Sequence, residues 1–297
     1  MQYTRLGRSG ATVSSICLGT MNFGPLASEP DAFEVMDSAF ELGVNFFDTA
    51  DVYGGPPLGD QPGQTEEILG RWMLSRRSRD DLVLSTKVHG AMGPGPNDRG
   101  LSSLHIRRAV EGSLRRLQTD HIDVYHMHHI DPDVPADEVL DALTRLRDQG
   151  KISYIGSSNF PGWRLAQYAD LAAATGRAGI VVEQSVYNLA QRMIELEVIP
   201  AAQHYGIGLL PWSPLAGGKL AGILRKPDPH RSRTQSLGSQ LKQVSAYERR
   251  APDLGLTPDA VGIAWLLHQP VVTAAVIGPR SADHVRSAVT ATEVSFG

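Results

Sequence analysis

Residues 104–132, LHIRRAVEGSLRRLQTDHIDVYHMHHIDP, contain one full period of the pattern that runs through this chain. Behind Ser102 and Ser103, which suit a helix start, Leu104, Ala109, Val110, Leu114 and Leu117 share one face at helical spacing. The pattern then changes to IDVYHMH (122–128), a short run with apolar residues on both faces (Ile122, Val124, Tyr125 and Met127), as expected of a strand covered on both sides. The same kind of run recurs at 15–21, 44–48, 82–87, 152–158, 180–184, 206–212 and 272–278. Helical patterns fall between these runs, at 31–42, 65–76, 103–118, 136–149, 161–175, 190–204, roughly 239–268 and 282–291. Pro135 suits a first helical turn, Gly150 stops that helix, and Thr257 before Pro258 marks another start.

Eight such repeats predict an α/β fold, a (β/α)8 TIM barrel, in which the parallel strands close on themselves inside a ring of helices. A doubly wound nucleotide-binding sheet would need G-x-G-x-x-G after its first strand, where this chain has GTMNFGPLAS. PLAGGKL likewise lacks the glycine spacing of a phosphate-binding P-loop. The opening QYTRLGRSGATVSSI predicts a β-hairpin turning at Gly7–Gly10 and plugging the bottom of the barrel. A long polar stretch, 213–239, follows the seventh strand on the face where barrel chemistry collects. With no linker or low-complexity tract, residues 1–297 are expected to form one domain.

The formal net charge is −4 and no run of five Lys or Arg occurs, which argues against nucleic acid as a partner. No apolar run approaches the roughly 18–20 residues that span a bilayer, and the start lacks a signal peptide's apolar centre. The single cysteine, Cys17, reads as a buried strand residue and agrees with a reducing cytoplasm. Oligomeric state has no signature here.

Catalytic residues of such barrels sit at the C-terminal strand ends. The second strand leads to Asp48 and, after a short loop, Tyr53; the third ends in Lys87 and the fourth in His128. Together they form a proton-transfer set. A free tyrosine, with a pKa of about 10, is a poor acid near neutrality, and an adjacent ammonium is expected to pull it down. A carboxylate holds the lysine charged, while a histidine orients a carbonyl oxygen. Such a set suits carbonyl reduction, in which hydride reaches carbon as the tyrosine delivers a proton to oxygen.

FFDTADVYG, STKV, IDVYHMHHID, GKISYIGSSNF and VEQSVYNL together resemble the signature segments of the aldo-keto reductase superfamily over nearly the whole chain. The resemblance implies catalytic roles for Asp48, Tyr53, Lys87 and His128, and a nicotinamide cofactor held without a Rossmann domain. Ser158, Asn159 and Gln184 would hold its carboxamide, and Trp212 would stack on the ring. Backbone at Ser213, Leu215 and Gly217, with Lys219, would wrap the pyrophosphate, and the 213–239 stretch would form a partial lid. Gly19, Thr20 and Met21 at the end of the first strand, and Gly278, Arg280 and His284 at the end of the last, complete the implied cofactor contacts. Arg280, beside the start of the last helix, is the candidate for the 2′-phosphate of NADPH, with NADH as the alternative.

Two departures from the family pattern stand out. His284, Ser287 and Ala288 occupy places where relatives carry glutamine, an acidic residue and asparagine near adenine, and the chain stops at TATEVSFG, so its tail is short or truncated. The resemblance is to a bacterial branch that holds broad aldehyde reductases and nucleotide-linked keto-deoxysugar reductases. Trp163, Trp212 and Tyr53 suggest a pocket able to receive a ring. One rival reading is a metal-dependent hydrolase built on His126 and His128, but the neighbouring strand ends offer poor ligands, so no metal is expected. The other is a cofactor-sensing binding module with little turnover.

Overall fold

The computed structural model describes residues 1–224 and 240–295. Eight parallel strands close the barrel: β3 (Ile16–Gly19), β4 (Phe46–Asp48), β5 (Val83–Val88), β6 (Ile122–Met127), β7 (Ile152–Ser158), β8 (Ile180–Val186), β9 (Gly208–Trp212) and β10 (Ala275–Ile277). Closure is made by β10, which pairs with β3 on one side and β9 on the other. The ring outside consists of α1 (Glu29–Glu41), α2 (Gln64–Arg76), α3 (Ser103–Leu117), α4 (Ala136–Asp148), α5 (Gly162–Thr175), α6 (Val198–Tyr205), α7 (Leu241–Arg250), α8 (Pro258–Leu267) and α9 (Ala282–Thr290). Among the described residues, no helix is long and apolar enough to cross a membrane.

The expected hairpin is present as β1 (Tyr3–Arg5) and β2 (Thr12–Ser14), paired antiparallel. Its turn lies against the starts of β8 and β9: a Cβ on Gly7 would stand 2.1 Å from the Val181 carbonyl oxygen and 2.8 Å from the Gly208 nitrogen. Leu6 and Val13 pack with Cys17, Phe46, Val124, Val182, Leu210 and Val276 in the inner core. Burying each of these two side chains contributes roughly 1.5–3 kcal/mol, so the hairpin is held as part of the core. Period-two alternation then sends the other side of each strand, such as Leu84, Tyr125, Ile155 and Leu209, outward toward the helices.

Several local expectations are corrected. The stretch 239–268 is two helices, because Pro252 lacks an N–H and Gly255 takes a left-handed φ of 70° between them. The helix expected over 190–204 begins only at Val198; Pro200 is tolerated in its first turn, and its ring would clash with the carbonyl of Leu196 if the helix extended upstream. Pro135 is the cap residue before α4 rather than its first residue. On α3 the buried stripe takes His105 and Ile106, and Leu104 is left half-buried. Ser102 caps that helix by accepting from the His105 N–H at 3.2 Å. Of the proposed lid, 225–239 lies outside the described residues.

Candidate active site

The strand period places Phe46 and Asp48 on the inner face of β4, and Ser85 and Lys87 on that of β5. Lys87 Nζ, fully buried, donates to Asp48 Oδ2 at 2.5 Å, to the Thr49 carbonyl at 2.8 Å and to the Tyr53 hydroxyl at 3.3 Å. The other Asp48 oxygen accepts from Ser85 Oγ at 2.8 Å and from Gln184 Nε2 at 3.2 Å. Burial by itself lowers the Lys87 pKa, but the Asp48 carboxylate and Tyr53 outweigh it and the ammonium is held more firmly than in water.

Tyr53 is carried by the loop between β4 and α2, and its carbonyl accepts from the N–H groups of Gly63 and Thr65. The expectation that Lys87 would leave this tyrosine more acidic is corrected. Desolvation raises its pKa by more than the ammonium lowers it, with Asp48 adding to the rise. The phenol is therefore protonated at neutral pH and is a stored donor, while Lys87 is placed to stabilise the phenolate left after the proton departs.

The three histidines of the 126–129 stretch occupy three different settings. His126 is fully buried inside the barrel, with Nδ1 3.1 Å from the Ser157 carbonyl, and burial takes its pKa down to about 4. Room for that ring is made by Gly156, where a Cβ would stand 2.4 Å from His126 Nδ1. His128 lies edge-on to Tyr53, with ring centroids 5.8 Å apart. Desolvation, then Lys87 and the neighbouring histidines, hold it neutral well below the usual imidazole range. His129 is exposed, stacks on His128 at 4.9 Å and meets the edge of His89 at 5.4 Å. Among the described residues, no group of three or more His, Cys, Asp or Glu is arranged to hold a metal ion.

Asn159 links the histidine strand to the next part of the mouth. It has a left-handed φ of 58°, donates through Nδ2 to the His128 carbonyl at 3.2 Å, and accepts from Trp212 Nε1 at 3.0 Å. Ser158 Oγ and the Asn159 N–H both donate to the Gln184 carbonyl. Trp212 remains 37% exposed. The indole edge thus meets the Asn159 amide, while the Gln184 amide is held against Asp48.

Beyond Trp212 the chain coils through left-handed residues Ser213, Ala216, Gly217 and Gly218. Gly217 N donates to Ser213 Oγ at 3.0 Å, Leu215 packs its side chain on the core, and Lys219 Nζ donates to Gln240 at 2.8 Å. Arg280 and His284 form a separate group at the start of α9, where the Arg280 N–H meets His284 Nδ1 at 3.3 Å. The Gly278 carbonyl accepts from Asn22 at 2.9 Å. Gly19 allows β3 to approach β10, since a Cβ there would stand 2.8 Å from the Ile277 carbonyl oxygen. Thr20 is buried and donates to the Asp48 carbonyl, while Met21 lies exposed on the rim. The expected residues thus divide into a bonded centre (Asp48, Lys87, Tyr53, Gln184), a mouth (His128, Ser158, Asn159, Trp212) and two outlying groups. Ser85 was missed, although its position two residues before Lys87 was a usable signal for the same strand face. Asn22 and the Thr49 carbonyl had no such signal.

A model of the aldo/keto reductase family matches residues 15–296. Uncharacterized oxidoreductase YrpG of Bacillus subtilis (strain 168) is 44% identical over 304 residues, which cover 100% of this chain and 92% of that protein. A probable voltage-gated potassium channel subunit beta of Arabidopsis thaliana is 34% identical, covering 99% of this chain and 92% of its own length. Norsolorinic acid reductase A of Aspergillus parasiticus is 32% identical, covering 95% of this chain and 74% of its own length.

Proposed function

The chain belongs to the aldo/keto reductase family of NAD(P)H-dependent oxidoreductases, and from that premise we propose that it reduces an aldehyde or ketone to the alcohol with NADPH, Tyr53 acting as the acid. The observation that carries this reading is Lys87 Nζ set between Asp48 Oδ2 at 2.5 Å and the Tyr53 hydroxyl at 3.3 Å.

When bound, a nicotinamide cofactor would supply hydride to the carbonyl carbon. Tyr53, protonated at neutral pH, gives its proton to the carbonyl oxygen, and its phenolate is left beside an ammonium that Asp48 keeps charged. His128, held neutral, can donate one N–H to the carbonyl oxygen without competing as an acid. Asn159, Ser158 and Gln184 would hold the carboxamide, and Trp212 would cover the ring. Arg280 would take the 2′-phosphate, so Arg280→Ala is expected to weaken NADPH much more than NADH; equal losses would remove that assignment.

The name of the potassium channel subunit relative raises a second reading, a cofactor-sensing module with little turnover. The intact Asp48, Lys87 and Tyr53 arrangement favours turnover. The deciding assay follows NADPH absorbance with purified protein and a panel of simple aldehydes, aromatic ketones and a nucleotide-linked keto-sugar. Consumption with any of them supports the reductase and ranks the substrate classes, whereas tight NADPH binding with no consumption across the panel supports the module.

A further inference from the structure

Directly behind the mouth, β7 and β8 pair Ser157 with Glu183 and Ser158 with Gln184. The strand alternation divides these two pairs between the faces of the sheet. Gln184 turns into the barrel and reaches Asp48, and Glu183 turns the other way and is fully buried. Its partners include two hydroxyls and the Phe160 N–H, and the Asn159 N–H also acts on it. Ser157 Oγ donates to Oε2, while Oε1 accepts from Ser185 Oγ at 2.6 Å and from the Phe160 N–H at 3.1 Å. Burial pushes this carboxyl up to about 7, against the downward pull of those donors. An apolar side chain would occupy the position without that desolvation cost.

The turn held by this carboxylate is the one that carries Asn159. Strand β8 takes both N–H groups at its crest, that of Asn159 through the Gln184 carbonyl and that of Phe160 through Glu183. Asn159 sits there in a left-handed conformation that asparagine adopts only at some cost. If the Phe160 N–H is released, the turn can relax, and the amide that bridges the His128 carbonyl and Trp212 moves with it.

We propose that Glu183 is a positioning residue for the nicotinamide cofactor, acting from outside the barrel by fixing the turn that aims the Asn159 amide into the mouth. This rests on the reading that Asn159 contacts the carboxamide.

Calorimetric titration with NADPH tests both statements with the wild type, Glu183→Ala, Glu183→Gln, Asn159→Ala and the Glu183→Ala/Asn159→Ala pair. Glu183→Ala should weaken NADPH about tenfold, the scale of one lost hydrogen bond to a charged group. Glu183→Gln preserves the shape and the acceptor for Phe160, and should recover most of that loss. In the Asn159→Ala background, Glu183→Ala should add less than about twofold, because coupled residues are non-additive. Unchanged affinity in Glu183→Ala, or an undiminished loss when Asn159 is already absent, would overturn the proposal. A wild type that does not bind NADPH, or an Asn159→Ala variant that binds it normally, would instead overturn the functional reading beneath it. A general loss of fold would lower the melting temperature and the titratable fraction without changing the affinity of the folded remainder.

Discussion

Lys87→Met separates what the central ion pair does for stability from what it does for chemistry. Methionine is similar in length to lysine and apolar, so the barrel interior stays filled while the ammonium and its three hydrogen bonds are removed. Asp48 then remains fully buried with only Ser85 Oγ at 2.8 Å and Gln184 Nε2 at 3.2 Å to compensate its charge. Breaking a buried pair on one side typically costs about 3–5 kcal/mol, because the remaining charge is uncompensated. With a urea m-value of about 3 kcal/mol/M for a chain of this size, the unfolding midpoint at pH 7 should fall by about 1–1.7 M. Asp48→Asn/Lys87→Met removes the stranded charge and keeps a side chain of the same shape, so its midpoint should return most of the way to wild type. Both variants should lose turnover, since neither has a cation to stabilise the Tyr53 phenolate. Urea unfolding followed by circular dichroism reads the stability arm. A loss in Lys87→Met below about 1 kcal/mol, or a double variant no more stable than the single one, would refute the uncompensated-charge account.

Tyr53→Phe should abolish carbonyl reduction while NADPH binding, read by calorimetry, stays within about twofold; retained turnover would remove Tyr53 as the acid. Glu183 has a folded pKa of about 7, above its ordinary value of 4.5, so the folded state holds this proton more tightly than the unfolded chain. Its contribution is neutral below about pH 4.5, becomes increasingly destabilising as pH rises toward 7, and levels off above that at about 3 kcal/mol. Relative to wild type, Glu183→Gln should therefore gain stability on going from pH 5 to pH 8, and an equal difference at both pH values would contradict the assignment. Gly156→Ala would drive a methyl group into the His126 ring and should cost about 1–3 kcal/mol in urea unfolding. Pairing it with His126→Ala should relieve much of that cost, and additive losses would show that the clash is not with the imidazole.

Much of the architecture was legible because its determinants are local. Continuous apolar runs, amphipathic stripes, the Ser102 cap and Pro258 in the first turn of α8 act over a few residues, and the repeat number then restricts the fold. Pro252 and Gly255 are local signals as well, and they separate α7 from α8. Strand-end positions were enough to nominate Asp48, Lys87 and His128, and the period of two could have added Ser85.

The order of elements, and the residue types that stand at the mouth, follow from local signals along the chain. Barrel closure decided how they meet. It brings Gln184 to Asp48 across 136 residues, gives His126 the Ser157 carbonyl and the space above Gly156, and sets Glu183 behind the turn that carries Asn159. The charge state of the centre was also decided there. Whether Tyr53 is made more acidic by Lys87 or less acidic by desolvation depends on how much water the assembled barrel excludes, and desolvation wins. That balance depends on distance and local dielectric, which exist only after residues far apart in the chain have packed together.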